Sequence, residues 1–314
     1  MEQALGKRDG LRPLIRDGLR PSIRAGRGKY GMGLLFLVPA LLVFGVFQWY
    51  PIIQNFLLAF QSYVPGFDKE WVGLKNILYI LHDPRLPKAI FNTLEFVGIC
   101  LVIGFFVPIV VAITVMEIRR GRGFFRLAIY IPNMIPGIAL YIIWRWVFNP
   151  DFGLLNQFIG IFGVPHQQWV LSARQVLPSL SLMATWAGFG GTAVLYMSSL
   201  TTVSTELYEA AELEGAGFLR RVRSITLPAI SGTINLLLVL QLIATFQVLQ
   251  EPFVMTAGGP NNASLSVMLL TFNYAFEDVE FGRAGALGSL LFLALLGLSY
   301  IYVKRSGLAK AKGA

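Results

Sequence analysis

The sequence predicts an all-α integral membrane protein with six transmembrane helices, on three observations. Of its 314 residues, 55% are hydrophobic and only 14% charged, whereas a soluble domain carries about a quarter charged residues. Apolar runs lie near 32–60, 89–116, 124–148, 176–200, 228–250 and 283–303, and each is as long as the ~18–20 residues that cross a bilayer. Nineteen of the 26 lysines and arginines fall into four clusters, and six crossings put all four on one face. The clusters are the residues before Tyr30, then Arg119/Arg120/Arg122/Arg126, Arg220/Arg221/Arg223 and Lys304/Arg305/Lys310/Lys312. Basic loops favour the cytoplasm, so both termini are expected on the cytoplasmic side of a membrane that the chain crosses several times. The chain divides into a flexible basic tail (1–30), a six-span domain (31–303) with a polar loop at 204–227, and a cytoplasmic C-terminal tail (304–314).

The tail repeats itself: Arg8-Asp-Gly-Leu-Arg-Pro-Leu-Ile is followed by Arg16-Asp-Gly-Leu-Arg-Pro-Ser-Ile. Its polar, Gly/Pro-rich composition suits a flexible segment. Its basic residues gain about 1 kcal/mol each beside anionic headgroups. It is not read as a cleavable signal, because the first apolar run is too long and no small-residue cleavage site follows. The net charge of +9 comes from residues flanking spans, which argues for membrane topology and against nucleic acid.

Outer loops are expected at 61–88, between Asn149 and Arg174, and around Thr256-Ala-Gly-Gly-Pro-Asn-Asn262. Trp49, Tyr50, Trp144, Trp146 and Trp169 lie near outer ends and are expected as interface anchors. The apolar segment 264–276 is too short to cross and is expected as a helix at the outer surface. Pro132 and Pro136 should bend the third span and make it a candidate wall of a path. Cys100 is the only cysteine, which excludes a disulfide framework or a cysteine metal site. His82 and His166 are far apart, and no metal site is expected.

The spans are nearly free of ionisable groups, Glu95 and Arg145 being the exceptions, so ion coupling has no visible means. No Gly-x-x-x-x-Gly-Lys-Ser/Thr loop is present, so the chain does not hold ATP in that manner. A solute mover of this kind must borrow its engine. The loop at 204–227 offers a place to do so: Glu206 to Glu214 favours helix, and Gly215 and Gly217 allow a turn. A short exposed helix there suits docking to a soluble partner.

In the fifth span Gln241, Ala244, Thr245 and Val248 share one helical face. Gln241 lies about 20 Å beyond Pro228 at 1.5 Å per residue. Its amide needs a partner, either another helix or a ligand hydroxyl. Gly188, Gly190 and Gly191 in the fourth span either open room for a ligand or let helices pack closely.

Glu209-Ala-Ala, then Gly215, Ile225, Leu227 and Pro228, resembles the signature loop of ABC importer permeases. Arg122-Gly-Phe-Phe-Arg126 and Trp144 through Asn156 extend the resemblance to the maltose-type carbohydrate permeases, as do Trp186-Ala-Gly-Phe and Thr256-Ala-Gly-Gly-Pro260. Thr256 through Pro260 is typical of the subunit like the larger maltose permease. The resemblance runs from about Gly33 to Val303. It implies a type I ABC importer transmembrane domain working with a sister permease, two ATPase subunits and an extracytoplasmic solute-binding protein. It implies no cofactor on this chain, with ATP and Mg held by the ATPase subunits. By the same likeness Glu209 is the charged contact to an ATPase, and Ala210 and Ala211 allow close approach. Gly215 makes the turn, and Leu227 and Pro228 start the fifth span. The family's sugar-contacting positions fall on Gly188, Gly191, Gln241, Ala244, Thr245 and Val248. The expected function is a non-enzymatic pore subunit of an ATP-driven importer of a sugar or oligosaccharide. Glycerol phosphate or another polar metabolite is the alternative cargo. A membrane glycosyl transferase, with Glu277-Asp278-Glu280 as its acids, is the remote alternative.

Overall fold

The computed structural model describes residues 27–118 and 120–305. Most of the basic tail, Arg119, Lys310 and Lys312 lie outside the described residues. Helical backbone starts at Arg27 and runs to Arg305, so the expected boundaries at 30 and 304 fall within helices. The chain forms two compact units, 1–54 and 55–314.

Helix Arg27–Phe44 passes through a widened π-helical turn, Gly45–Trp49, into helix Tyr50–Leu58, whose residues from Asn55 onward belong to the second unit. Leu35–Leu58 is long and apolar enough to cross a membrane. Phe36, Leu41, Phe47, Trp49 and Tyr50 are all exposed. A helix apolar on every side is stable only against lipid or another protein.

In the second unit the crossing helices are Arg85–Glu117, Val176–Leu200, Ser231–Thr256 and Phe281–Arg305. The third span is broken, its halves Arg122–Met134 and Gly137–Val147 meeting at 95°. Pro136 lacks an amide hydrogen and disfavours helical backbone at the residue before it. Ile135 and Pro136 are accordingly both extended, with ψ of 125° and 137°, and the result is a corner instead of a kink.

The fifth span departs from expectation at its start. Helical backbone begins at Phe218, widens into a π-helical turn at Val222–Thr226, and continues through Leu227–Ala229 into Ser231–Phe246. Pro228 thus lies inside a helical run and not in its first turn. Its ring would crowd the carbonyl four residues earlier, and the wide turn just before it takes up that mismatch. After Phe246 the helix breaks, then resumes at Gln250–Thr256.

Val267–Phe276 is ten residues long and does not cross. One side of it, Val267, Leu269, Leu270 and Tyr274, is buried in a core shared with the second and sixth spans. A two-stranded ribbon, Gln61–Ser62 against Glu70–Trp71, is the one departure from an all-α fold among the described residues.

The second and fourth spans make the most extensive helix contact. Between helices in lipid, small residues permit close packing. At Gly282 an added Cβ would lie 2.8 Å from Asn76 Nδ2, and at Gly285 it would lie 3.0 Å from the Asn55 carbonyl. Trp144 is a core residue and not an interface anchor. It is 8% exposed, with its ring centroid 4.9 Å from Phe148 and 5.5 Å from Trp186. Trp169 joins the same group, its ring 5.8 Å from Phe148 and its Nε1 donating to Asn156 Oδ1 at 2.9 Å.

A polar knot ties the loops beyond the fifth span to the second. Asn92 Nδ2 donates to the Asn262 and Leu265 carbonyls at 2.7 and 2.9 Å. Thr93 Oγ1 accepts from the Val267 amide at 3.0 Å. Ser266 Oγ donates to the Val248 carbonyl at 2.7 Å, which supplies an acceptor's partner just where the helix breaks. Beside it, buried Asp83 accepts from the Arg85 amide at 2.7 Å, Arg85 Nη2 at 3.0 Å and Tyr274 OH at 2.6 Å. Burial alone would raise this carboxyl, but the Arg85 and Tyr274 hydrogen bonds outweigh it and hold Asp83 below the usual range. Arg85 also reaches Asp278 at 3.1 Å, and Arg283 reaches Glu280 at 3.3 Å.

Candidate functional site

Two features converge on the fifth span, a protruding loop helix at its foot and a chamber along its length. The loop helix is Thr205–Leu213. Ser204 caps its start, its Oγ accepting from the Glu206 amide at 3.2 Å. Its end is a Schellman turn: Ala216 N donates to the Ala211 carbonyl and Gly215 N to the Glu212 carbonyl, each at 2.9 Å. Gly215 takes φ of +76°, where a side chain would be strained. Glu209 and Ala210 are exposed and Ala211 is half-buried.

Two contacts hold this helix to the foot of the fifth span. Tyr208 OH meets Thr226 Oγ1 at 3.0 Å, and Arg221 forms an ion pair with Glu212. Neither pair was legible in the sequence, which shows only the residue types. Around them Leu207, Leu213, Phe218 and Leu219 are exposed, Leu213 by 90%. Large apolar side chains are thus held in the open beside the Glu209 carboxylate.

The chamber has a volume of about 710 Å³. Gly188, Gln241, Ala244, Thr245 and Val248 all line it, so five of the six positions expected on the path come together. Gly191 does not join them. An added Cβ there would lie 3.3 Å from Asn133 Oδ1, so this glycine packs the fourth span on the first half of the third. Gly190 also serves packing, since a Cβ there would stand 2.8 Å from the Ile129 carbonyl carbon. Gly188 has open space above it. Gln241 Nε2 donates to the Cys100 carbonyl at 2.7 Å. Thr245 Oγ1 donates back to the Gln241 carbonyl at 2.9 Å.

Gly104 and Glu251 are among the chamber residues that escaped the sequence reading. Gly104 makes room for the Gln241 amide, which lies 2.6 Å from where a Cβ would be. Glu251 lines the chamber and also a second cavity of about 290 Å³ walled by Pro132, Asn133, Ile135 and Gly137 at the corner of the third span. The signal for Glu251 was a lone carboxylate just past the expected end of an apolar run. Glu95 and Arg145, the ionisable residues that stood out in the sequence, line neither cavity.

Spans around a chamber, with a loop helix protruding from the foot of one of them, define the transmembrane component of an ABC importer. The chain belongs to the family described as binding-protein-dependent transport system inner membrane component, which matches residues 104–305. It is 32% identical over 277 residues to the probable ABC transporter permease protein YurN of Bacillus subtilis, covering 86% of this chain and 94% of that one. It is 30% identical over 282 residues to the arabinooligosaccharides transport system permease protein AraP of the same organism, covering 89% and 90%. A solved bacterial ABC transporter involved in import of the acidic polysaccharide alginate has the same fold, with a TM-score of 0.79 at 22% identity, covering 89% and 96%. The chain is a multi-pass membrane transport component and not an enzyme. Among the acidic residues proposed for catalysis, Asp278 and Glu280 are held in ion pairs.

Proposed function

We propose that this chain is a pore-forming subunit of an ATP-driven, binding-protein-dependent importer of a sugar or oligosaccharide. One observation carries the reading: the loop helix is stapled to a helical run that leads from Phe218 directly to the chamber residues Gln241, Ala244 and Thr245. From Phe218 to Gln241 that run spans about 35 Å at 1.5 Å per residue. A push on the loop helix therefore reaches the chamber through one element.

In this reading the loop lies in the cytoplasm with both termini, and Glu209, Ala210 and Ala211 enter a cleft on an ATPase subunit. Gly215 sets the turn, and Leu227 and Pro228 transmit the push. A sister permease completes the pore, a solute-binding protein delivers cargo from outside, and ATP and Mg belong to the ATPase subunits. The sugar assignment draws on AraP, named for arabinooligosaccharides, and on a chamber whose polar groups are amides, hydroxyls and the carboxyl of Glu251. Phosphorylated cargo is disfavoured, because no Lys, Arg or His lines the chamber among the described residues.

Purification of the full chain should bring with it a second permease and an ATPase. Glu209→Lys should abolish solute-stimulated ATP hydrolysis while the complex still assembles and melts normally. Full transport by that variant would refute the role given to Glu209.

A further inference from the structure

The geometry points to Glu251 as the charge filter of the path, making the chamber selective for neutral or amino saccharides over uronates and phosphorylated sugars. This rests on the importer reading above and names its cargo class more narrowly.

Glu251 opens the helix Gln250–Thr256 just after the break in the fifth span. With Ala184 and Gly188 it borders both the 710 Å³ chamber and the 290 Å³ cavity at the third-span corner, so it stands at the threshold between them. Among the described residues its carboxylate has no ion-pair partner. Neither cavity is lined by Lys, Arg or His. The other polar groups of the chamber, Thr185, Thr192, Gln241, Thr245, Gln247 and Gln250, are neutral.

A carboxylate within a membrane segment is costly and marks a substrate or ion path. Low-dielectric walls focus its field into the cavity instead of letting water screen it. A sugar hydroxyl can donate to such a group, and an ammonium gains further. A second carboxylate or a phosphate is repelled.

The test reads the field and not the cargo. In a Cys100→Ala background, which keeps the carbonyl that Gln241 uses, Ala244→Cys places a reporter thiol in the chamber. Native membrane vesicles of both orientations, carrying the full chain, are treated with a trimethylammonium methanethiosulfonate and with its sulfonate counterpart. The cationic reagent should react faster than the anionic one. Glu251→Gln should lower that ratio at least tenfold, since one unit charge about 10 Å away at an effective dielectric near 20 favours the cation and disfavours the anion by roughly tenfold each. Glu251→Asp should restore it. A ratio unchanged by Glu251→Gln would overturn the filter while leaving the importer reading intact, since a helix-starting role alone would not move it. A reporter that reacts with neither reagent from either side would place the chamber off any water path and remove both the filter and the path.

Discussion

Alanine substitutions at Gly190 and Gly188, two positions on one helix, should have opposite effects. Any Gly→Ala change in a helix gains about 0.5–1 kcal/mol from backbone entropy. At Gly188 the new methyl would meet open space, so the variant should melt at or slightly above the wild-type temperature. At Gly190 the methyl would stand 2.8 Å from the Ile129 carbonyl carbon and 3.2 Å from Tyr130 Cα. Carbon atoms rest at about 3.5–4.0 Å, so the third and fourth spans must separate by about 1 Å. Both obstacles are backbone, which no rotamer change can clear. Overpacking of this kind costs about 1–3 kcal/mol or more, which exceeds the entropic gain. Thermal melting of the detergent-solubilised complex, followed by fluorescence-detected size exclusion, compares the two variants directly. If Gly190→Ala melts together with Gly188→Ala, the close approach of the two spans is wrong.

Asp83→Asn should destabilise the complex by about 2 kcal/mol, less than for a fully buried pair because Arg85 is partly solvated and keeps Asp278. The sign of its pH dependence follows from the lowered carboxyl. The stabilisation is complete above the unfolded value, about pH 4, and is lost as pH falls through the lower folded value. Acid melting curves should show this step in the wild type and lack it in Asp83→Asn. Tyr208→Phe removes the bond to buried Thr226, worth about 1 kcal/mol, so hydrogen exchange of the 205–213 amides should accelerate while the spans stay protected. Unchanged exchange would mean that the loop helix is held by other contacts. Gln241→Leu should leave melting nearly unchanged, because hydrogen bonds between membrane helices average about 0.6 kcal/mol. Transport by that variant should drop about fivefold, the worth of one neutral hydrogen bond to cargo. Unaltered transport would reduce Gln241 to a tie between helices.

The amino-acid order by itself determined the six apolar segments, the proline-induced break in the third, and the loop helix with its glycine turn. Span length, the missing amide of Pro136 and the positive φ at Gly215 are local requirements, so each is written in neighbouring residues. The common face of Gln241, Ala244, Thr245 and Val248 was legible for the same reason, being a matter of helical period. Only the tertiary structure decided what each face meets. Gly188 opens onto the chamber while Gly190 and Gly191 pack on the third span, yet all three look alike in sequence. Trp144 reads as an interface anchor but is enclosed by Phe148 and Trp186. Glu251 and Gly104 enter the chamber because of the break after Phe246 and the close approach of the second and fifth spans. The cause is that lipid tails and neighbouring helices are equally apolar, so hydropathy marks a membrane helix without telling which of its sides touches protein.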